Sequence, residues 1–204
     1  MEFSQQQHYS PQIPSAASVS RIMLEVLLAL LPGILVYIYF FGWGVLVNIM
    51  LAALFAVLAE SIMLAIRKRP VASSIMDGSA VLTGVLLALA IPAYSAWWIV
   101  AIGVVFAIVI AKQLYGGLGL NPFNPAMTGY VVLLISVPLE MTRWNPPLEL
   151  AEQSLSLLEA FRYSLSGQLP AGMDIDMISL ATPLDLVRER VDMGMQISAI
   201  TSEY

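Results

Sequence analysis

Hydroxyl, carboxylate and ammonium groups supply the reactive side chains of this 204-residue sequence, which contains no cysteine and a single histidine. The lack of cysteine excludes disulfide, thiolate, iron–sulfur and cysteine–zinc chemistry from these residues. His8 lies in a stretch rich in Ser, Gln and Pro, where a solvated imidazole is favoured over a metal ligand. The candidate reactive groups are therefore the hydroxyl and charged side chains.

The densest group of such residues lies near the C-terminal end. Read locally, Thr182 is a helix N-cap, because its hydroxyl can accept from a free amide, while Pro183 suits the first helical position and Asp185 the third. Asp174 and Asp176 could form a metal pair. Two carboxylates without further ligands are weak evidence for one, so solvated acids are favoured.

The composition is that of a membrane protein. Hydrophobic residues make up 59% of the sequence and charged residues 11%, with a mean hydropathy of +0.82. Soluble domains have about 25% charged and about 45–50% apolar residues. The absence of a basic patch excludes nucleic acid as a partner, and the lipid bilayer is the expected environment.

The hydropathy pattern predicts an all-α polytopic membrane protein with two short, broken or half-helix segments and a small extramembrane tail. Residues 1–20 form a disordered cytoplasmic tail, 21–138 the transmembrane domain and 139–204 an external segment. Spans of about 20 residues cross roughly 30 Å of hydrocarbon. The predicted spans are about 22–41, 45–66, 79–91, 96–112 and 126–138.

Charge sets the predicted orientation. Arg21 and the basic cluster at 67–69 are separated by two spans, so they share one side, which the positive-inside rule makes cytoplasmic. If the later segments also cross, Lys112 returns to the cytoplasm. The segment 139–204, with four basic and ten acidic residues, then lies outside.

The segment 116–126 holds three glycines and two Asn-Pro pairs between hydrophobic spans. It is either a loop in water or a protein-buried break, since irregular backbone at membrane depth needs shielding. The two short segments resemble each other from Thr83 to Pro92 and from Thr128 to Pro138, since each stretch begins with Thr-Gly and ends in Pro. Paired short segments point to a site near the bilayer midplane. Two tilted helices joined by ordinary loops remain the alternative.

Three ionisable residues, Glu25, Glu60 and Lys112, lie at predicted span ends. Long charged side chains in such positions can reach the membrane interface while their stems stay in the apolar region. They can also relay ions when they face the interior. Interface placement is the favoured interpretation.

The segment 112–138 closely resembles the RnfD-type subunit of the bacterial Rnf (Rsx) ion-translocating electron-transport complex. The NqrB-type subunit of the sodium-translocating NADH:quinone reductase belongs to a related family. Ser20–Leu24, Phe41–Gly44 and Ser79–Gly84 resemble the RnfD-type sequence in the same order. The resemblance extends over about residues 20–190. It also implies a longer protein with a second set of spans, of which this sequence matches the N-terminal part.

The resemblance implies a covalent cofactor. Family members carry FMN joined through its phosphate to a threonine in a Ser-x-Ala-Thr motif, which here comprises Ser179, Ala181 and Thr182. Thr182 is the implied acceptor, and Asp176 matches the start of the motif used by the flavin transferase. Leu180 departs from the glycine preferred at that position. No side chain is expected to act as a catalyst, and no metal site is expected.

The resemblance further implies a subunit that relays electrons between ferredoxin and NAD, coupled to sodium or proton transport, in the bacterial inner membrane. Its partners are the other members of the complex and the flavin transferase. The broken segments, with Asn121, Asn124, Asp77 and Ser79, are expected to line an ion or gate region. The alternatives are a channel or solute transporter without a redox centre, and a non-functional fragment.

Overall fold

The computed structural model describes residues 18–149, 151, 154–170, 172–173, 191 and 193. Throughout this part of the chain the regular structure is helical, which confirms the all-α prediction. The helices are α1 (Val19–Phe41), α2 (Gly44–Ile66), α3 (Val71–Ile75), α4 (Ser79–Ala90), α5 (Trp97–Val105), the π segment (Phe106–Gln113), α6 (Pro125–Ser136), α7 (Pro138–Thr142) and α8 (Leu157–Ser166).

Helices α1 and α2 are long and apolar enough to cross a membrane, judged by length and composition. Shorter apolar helices follow at Ser79–Ala90, Trp97–Gln113 and Pro125–Ser136. Helix α1 buries none of its residues. It thus presents apolar side chains on all faces, as expected of a helix in contact with lipid or with another protein surface.

Helix α2 lies at the centre of the bundle and packs most extensively against α4. Small residues allow close backbone approach along this contact. A Cβ atom on Gly84 would lie 2.7 Å from the backbone oxygen of Ala52. Helix α6 meets α5 in the same manner, because a Cβ on Gly129 would lie 2.4 Å from the oxygen of Gly103. Each short helix therefore packs on a preceding helix through the glycine of its Thr-Gly pair.

The two ends of the helix bundle contain different connecting segments. One end, here called the loop end, contains the segments 67–78 and 114–124, and the Ser20 hydroxyl bonds to the Met76 carbonyl there at 3.2 Å. The other, here called the α8 end, contains the segments 42–43 and 91–96 and the described residues between 137 and 173. The backbone amide of Leu148 donates to Phe40 at 2.7 Å, which fixes the tail to the end of α1.

Helix α8 is attached to the α8 end by buried contacts. Ala160 and Ser164 are buried, and the Ser164 hydroxyl donates to the Ser95 carbonyl at 2.9 Å. Tyr163 packs edge-on against Tyr94 with ring centroids 6.4 Å apart. Helix α8 begins at Leu157, after the N-cap Ser156.

Candidate functional site

A buried ion pair joins α2 to the π segment. The Lys112 ammonium lies 2.7 Å from Glu60 Oε1 and 2.9 Å from Oε2, and the two side chains are 2% and 3% exposed. At about 1.5 Å rise per residue, Glu60 lies about 24 Å from the start of α2 and about 9 Å from its end. The pair is therefore inside the bundle, nearer the loop end.

The π segment brings two consecutive side chains to the same carboxylate. Gln113 Nε2 donates to Glu60 Oε1 at 2.7 Å, beside the contact from Lys112. In a π-helix the hydrogen bonds run from i to i+5, so a turn contains more residues and neighbouring side chains diverge less than in an α-helix. Ala111, Lys112 and Gln113 are all buried as a result.

The start of α4 supplies the third side of the cluster. Ser79 Oγ accepts from Lys112 Nζ at 2.7 Å and donates to Asp77 Oδ1. The same Asp77 oxygen accepts from the Ser79 amide at 2.7 Å, across Gly78 in the left-handed region at φ 76°. Asp77 thus caps the short helix and, through Ser79, connects to the buried lysine.

Two arginines complete the cluster at the loop end. Arg67 donates to the backbone oxygen of Gln113 and, at 3.3 Å, to its side-chain oxygen. Arg69 donates to the carbonyl of Gly116 at 3.0 Å. These cations lie at carbonyl groups at and just after the end of the π segment, where the partial charge of a helix end is negative. Arg67 also orients the Gln113 amide, which donates to Glu60.

A polar cavity of about 210 Å³ adjoins the cluster. Its lining includes Glu60, Asp77 and Lys112, together with Ser74 and the exposed Arg69. The cavity therefore connects the buried pair with the surface at the loop end. We refer to Glu60, Lys112, Gln113, Ser79 and Asp77 as the polar cluster.

The expectation of interface placement is wrong for Glu60 and Lys112, because each neutralises the other inside the protein. Glu25 does lie at the surface, where it pairs with Arg21 at 2.9 Å. The sequence contained a signal for the buried pair. One acid and one base stand near the ends of two spans that run in the same direction, toward the loop end.

The structure brings together two of the four predicted ion or gate residues, Asp77 and Ser79. The other two bond locally within the segment 116–126. Asn121 accepts from the Gly119 amide at 3.2 Å and donates to the Phe123 carbonyl at 2.8 Å. Asn124 is the N-cap of α6. Leu120 and Phe123 are exposed on this segment of the chain.

The four residues of the predicted flavin motif, Asp176, Ser179, Ala181 and Thr182, lie outside the described residues. So do Asp174 and Asp185. Their assignment rests on the sequence alone.

Comparison with known proteins decides the family. Residues 6–203 match the model of the NQR2, RnfD, RnfE family. The chain belongs to this family. The NQR2, RnfD, RnfE match covers nearly the whole sequence, and it confirms the resemblance drawn from the segment 112–138.

Curated relatives in the NQR2, RnfD, RnfE family carry a shared description. The chain is 52% identical over 198 residues to the D-type subunit of the ion-translocating oxidoreductase complex of Shigella dysenteriae serotype 1 (strain Sd197). It is 51% identical to the proteins of the same description from Escherichia coli strains SMS-3-5 / SECEC and K12 / DH10B. Each alignment covers 94% of this chain and 56% of the relative. The chain thus spans about half the length of these proteins.

Proposed function

We propose that this chain is part of a membrane subunit of an ion-translocating electron-transport complex linked to ferredoxin and NAD. The observation that carries the proposal is the 51–52% identity to proteins described as the D-type subunit of an ion-translocating oxidoreductase complex. The two long apolar helices and the polar cluster inside the bundle are compatible with that role. The other members of the complex are the proposed partners.

The proposed redox group is FMN, joined by a phosphodiester to the hydroxyl of Thr182 after modification by a flavin transferase. FMN, when attached, would supply the electron-transfer chemistry, and the protein would set its position. Pro183 and Asp185 follow Thr182 as in a helix start. If a helix starts there, as the sequence predicts, a phosphate on Thr182 would lie near free backbone amides and the positive end of that helix.

In-gel flavin fluorescence tests the attachment. The protein is co-expressed with a flavin transferase, denatured and separated by electrophoresis, so that only covalently bound flavin fluoresces. We expect fluorescence in the unmodified protein, its loss in Thr182→Val, and its retention in Thr142→Val, which removes a hydroxyl from α7. An unmodified protein without fluorescence, or a fluorescent Thr182→Val protein, would overturn the assignment. A channel or transporter without a redox centre would then be favoured.

The proposed location is the bacterial inner membrane, with the loop end facing the cytoplasm. The loop end contains Arg21, Arg67, Lys68 and Arg69. Cytoplasmic segments carry such an excess of basic residues. Residues 139–204, including Thr182, would then lie on the opposite side, so the flavin would be outside the cytoplasm.

A further inference from the structure

We propose that Lys68 and Arg69 bind the phosphate group of an anionic phospholipid at the loop end of the bundle. Both residues are exposed, and they follow directly on α2, which is long and apolar enough to cross a membrane. The proposal gives these residues a lipid partner beyond the electron-transport role proposed above. It depends neither on flavin attachment nor on the side of the membrane that the loop end faces.

The basic cluster, which comprises Arg67, Lys68 and Arg69, has no acidic partner within the described part of the chain. The ion pairs found there all lie elsewhere: Arg21–Glu25, Glu60–Lys112 and Glu140–Arg143. The one acid of the segment 67–78, Asp77, accepts from Ser79 instead. Three cations thus stand together without a counter-charge among the described residues, and an anionic ligand would neutralise them.

The end of α2 holds the basic cluster in a defined turn. The backbone amide of Lys68 donates to Ala65 at 3.0 Å and that of Arg69 donates to Leu64 at 2.9 Å, which is the Schellman arrangement that closes many helices. Lys68 has the left-handed backbone at φ 54°, where glycine is the usual residue. A residue with a Cβ atom is unfavourable there, so the turn itself does not favour lysine. What Lys68 adds at this position is its charge.

Arg69 is positioned in advance for a phosphate group. Its Nη1 atom donates to the Gly116 carbonyl at 3.0 Å, while the residue stays exposed. A guanidinium carries five N–H donors in a rigid plane, so donors remain for a second acceptor. Phosphate oxygens match this planar fork and bond to it in pairs. Arg67 is only partly exposed and donates to Gln113, so it ties the basic cluster to the bundle.

Exposed apolar side chains at the loop end favour a lipid as the source of the phosphate. Ile66 directly precedes the basic cluster and is 69% exposed, and Met76, which follows α3, is 80% exposed. Leu120 and Phe123 are exposed in the other segment of the loop end. Apolar side chains beside unpaired cations suit the boundary between acyl chains and head groups, where anionic lipids attract basic residues close to a span end. A soluble phosphate compound would leave these side chains in water.

Lipid selectivity next to the basic cluster tests the proposal. A single cysteine, Ile66→Cys, is labelled with bimane, and the purified protein is reconstituted in phosphatidylcholine bilayers. Brominated phosphatidylglycerol or brominated phosphatidylcholine is then added in parallel series, and quenching reports which lipid lies beside the label. We expect a preference for phosphatidylglycerol of about fivefold for each contributing cation, which falls at high salt. The same label at Leu35→Cys, exposed in the half of α1 nearer the α8 end, should show no preference.

The variant Lys68→Gly separates lipid binding from folding. Because glycine suits the left-handed backbone, thermal unfolding should stay unchanged or shift upward, whereas the preference for phosphatidylglycerol should fall about fivefold. Arg69→Gln should lower the preference by a similar factor, and Lys68→Arg should retain it. Arg143→Gln, which removes a cation paired with Glu140 at the α8 end, should leave quenching at the Ile66→Cys label unchanged.

Two results would overturn the proposal. One is equal quenching by the two brominated lipids at the Ile66→Cys label, which would leave the basic cluster to an acidic protein partner or to a role in orientation alone. The other is a preference for phosphatidylglycerol that survives Lys68→Gly combined with Arg69→Gln. The measurement needs no electron transfer, so its result is independent of flavin attachment at Thr182.

Discussion

At the scale of single residues, the buried Lys112 ammonium donates its hydrogen bonds to side-chain oxygen atoms inside the protein. Its partners, Glu60 and Ser79, lie 52 and 33 positions away in the sequence. A buried ion pair is weak evidence for stability, because desolvation of both charges offsets their attraction. What the pair does show is connection, since it joins α2 to the π segment and, through Ser79, to the start of α4.

Loss of one partner from this pair should be severely destabilising. In Lys112→Met the Glu60 carboxylate stays buried without a counter-charge, and removal of one partner from such a pair costs about 3–5 kcal/mol. Thermal unfolding in detergent should show this loss. The double variant Glu60→Gln with Lys112→Met should recover much of it. Arg21→Gln, at the exposed pair, should change stability by no more than about 0.5 kcal/mol. Equal losses of stability in Lys112→Met and Arg21→Gln would contradict the burial of the Glu60–Lys112 pair.

The sequence identified the ionisable residues of this site but not their partners. Glu60 and Lys112 stood out as charges in apolar surroundings, and Asp77 and Ser79 as a helix start. Their depth along a span could be estimated from the sequence. Which side chains face each other depends on the rotation of each helix about its axis, which tertiary packing decides. Interface placement was therefore predicted for a pair that is buried.

At the scale of elements, the short helices α4 and α6 depend on close backbone contacts. The glycines that follow Thr83 and Thr128 lie against the backbone of α2 and of α5. The Thr-Gly pairs were visible in the sequence, and the observed helices, Ser79–Ala90 and Pro125–Ser136, lie close to the predicted segments. The π segment had no such signal, because its i to i+5 bonding is not marked by any residue type.

Substitution of either glycine should weaken the bundle. In Gly129→Ala the new methyl group would lie 2.4 Å from a backbone oxygen, and in Gly84→Ala 2.7 Å from one, so helices must move apart. Overpacking of this kind costs about 1–3 kcal/mol. Gly33→Ala is the matched control, since nothing lies within 4 Å of its Cβ position in α1. Thermal unfolding compares the three variants, and an equal loss in the control would refute the packing explanation.

Helix α8 should lose stability in acid. Ser156 donates to the Glu159 carboxylate from its hydroxyl and from its backbone amide, and these bonds lower the pKa of Glu159 below its ordinary value of 4.5. Because the pKa of Glu159 is lower in the folded protein than in the unfolded chain, ionised Glu159 stabilises the fold. This stabilisation is complete at a pH above the unfolded-state pKa, and it is lost as the pH falls through the folded-state pKa. Amide exchange over 157–166, corrected for intrinsic rates, should accelerate below about pH 4.5. Glu159→Gln should remove this dependence while the helix remains formed near neutrality.

At the scale of the whole molecule, the two ends of the bundle carry different surface groups. Trp43, Trp97 and Trp98 are exposed near the α8 end, where aromatic side chains suit a membrane interface. Exposed Lys68 and Arg69 lie at the loop end instead. The all-α architecture followed from composition and span length. The attachment of α8 to the turn at 92–95 could not be predicted from the sequence, because it depends on long-range contacts such as that of Ser164 with Ser95.

Single cysteines should report the orientation, since the 204-residue sequence contains none. Met76 is 80% exposed at the loop end, and Gln168 is exposed just after α8. If basic residues hold the loop end in the cytoplasm, a membrane-impermeant maleimide applied to spheroplasts should label Gln168→Cys and spare Met76→Cys. Permeabilised cells, in which both positions should react, serve as the control for accessibility. Labelling of Met76→Cys alone in intact spheroplasts would reverse the orientation and place the segment around Thr182 in the cytoplasm.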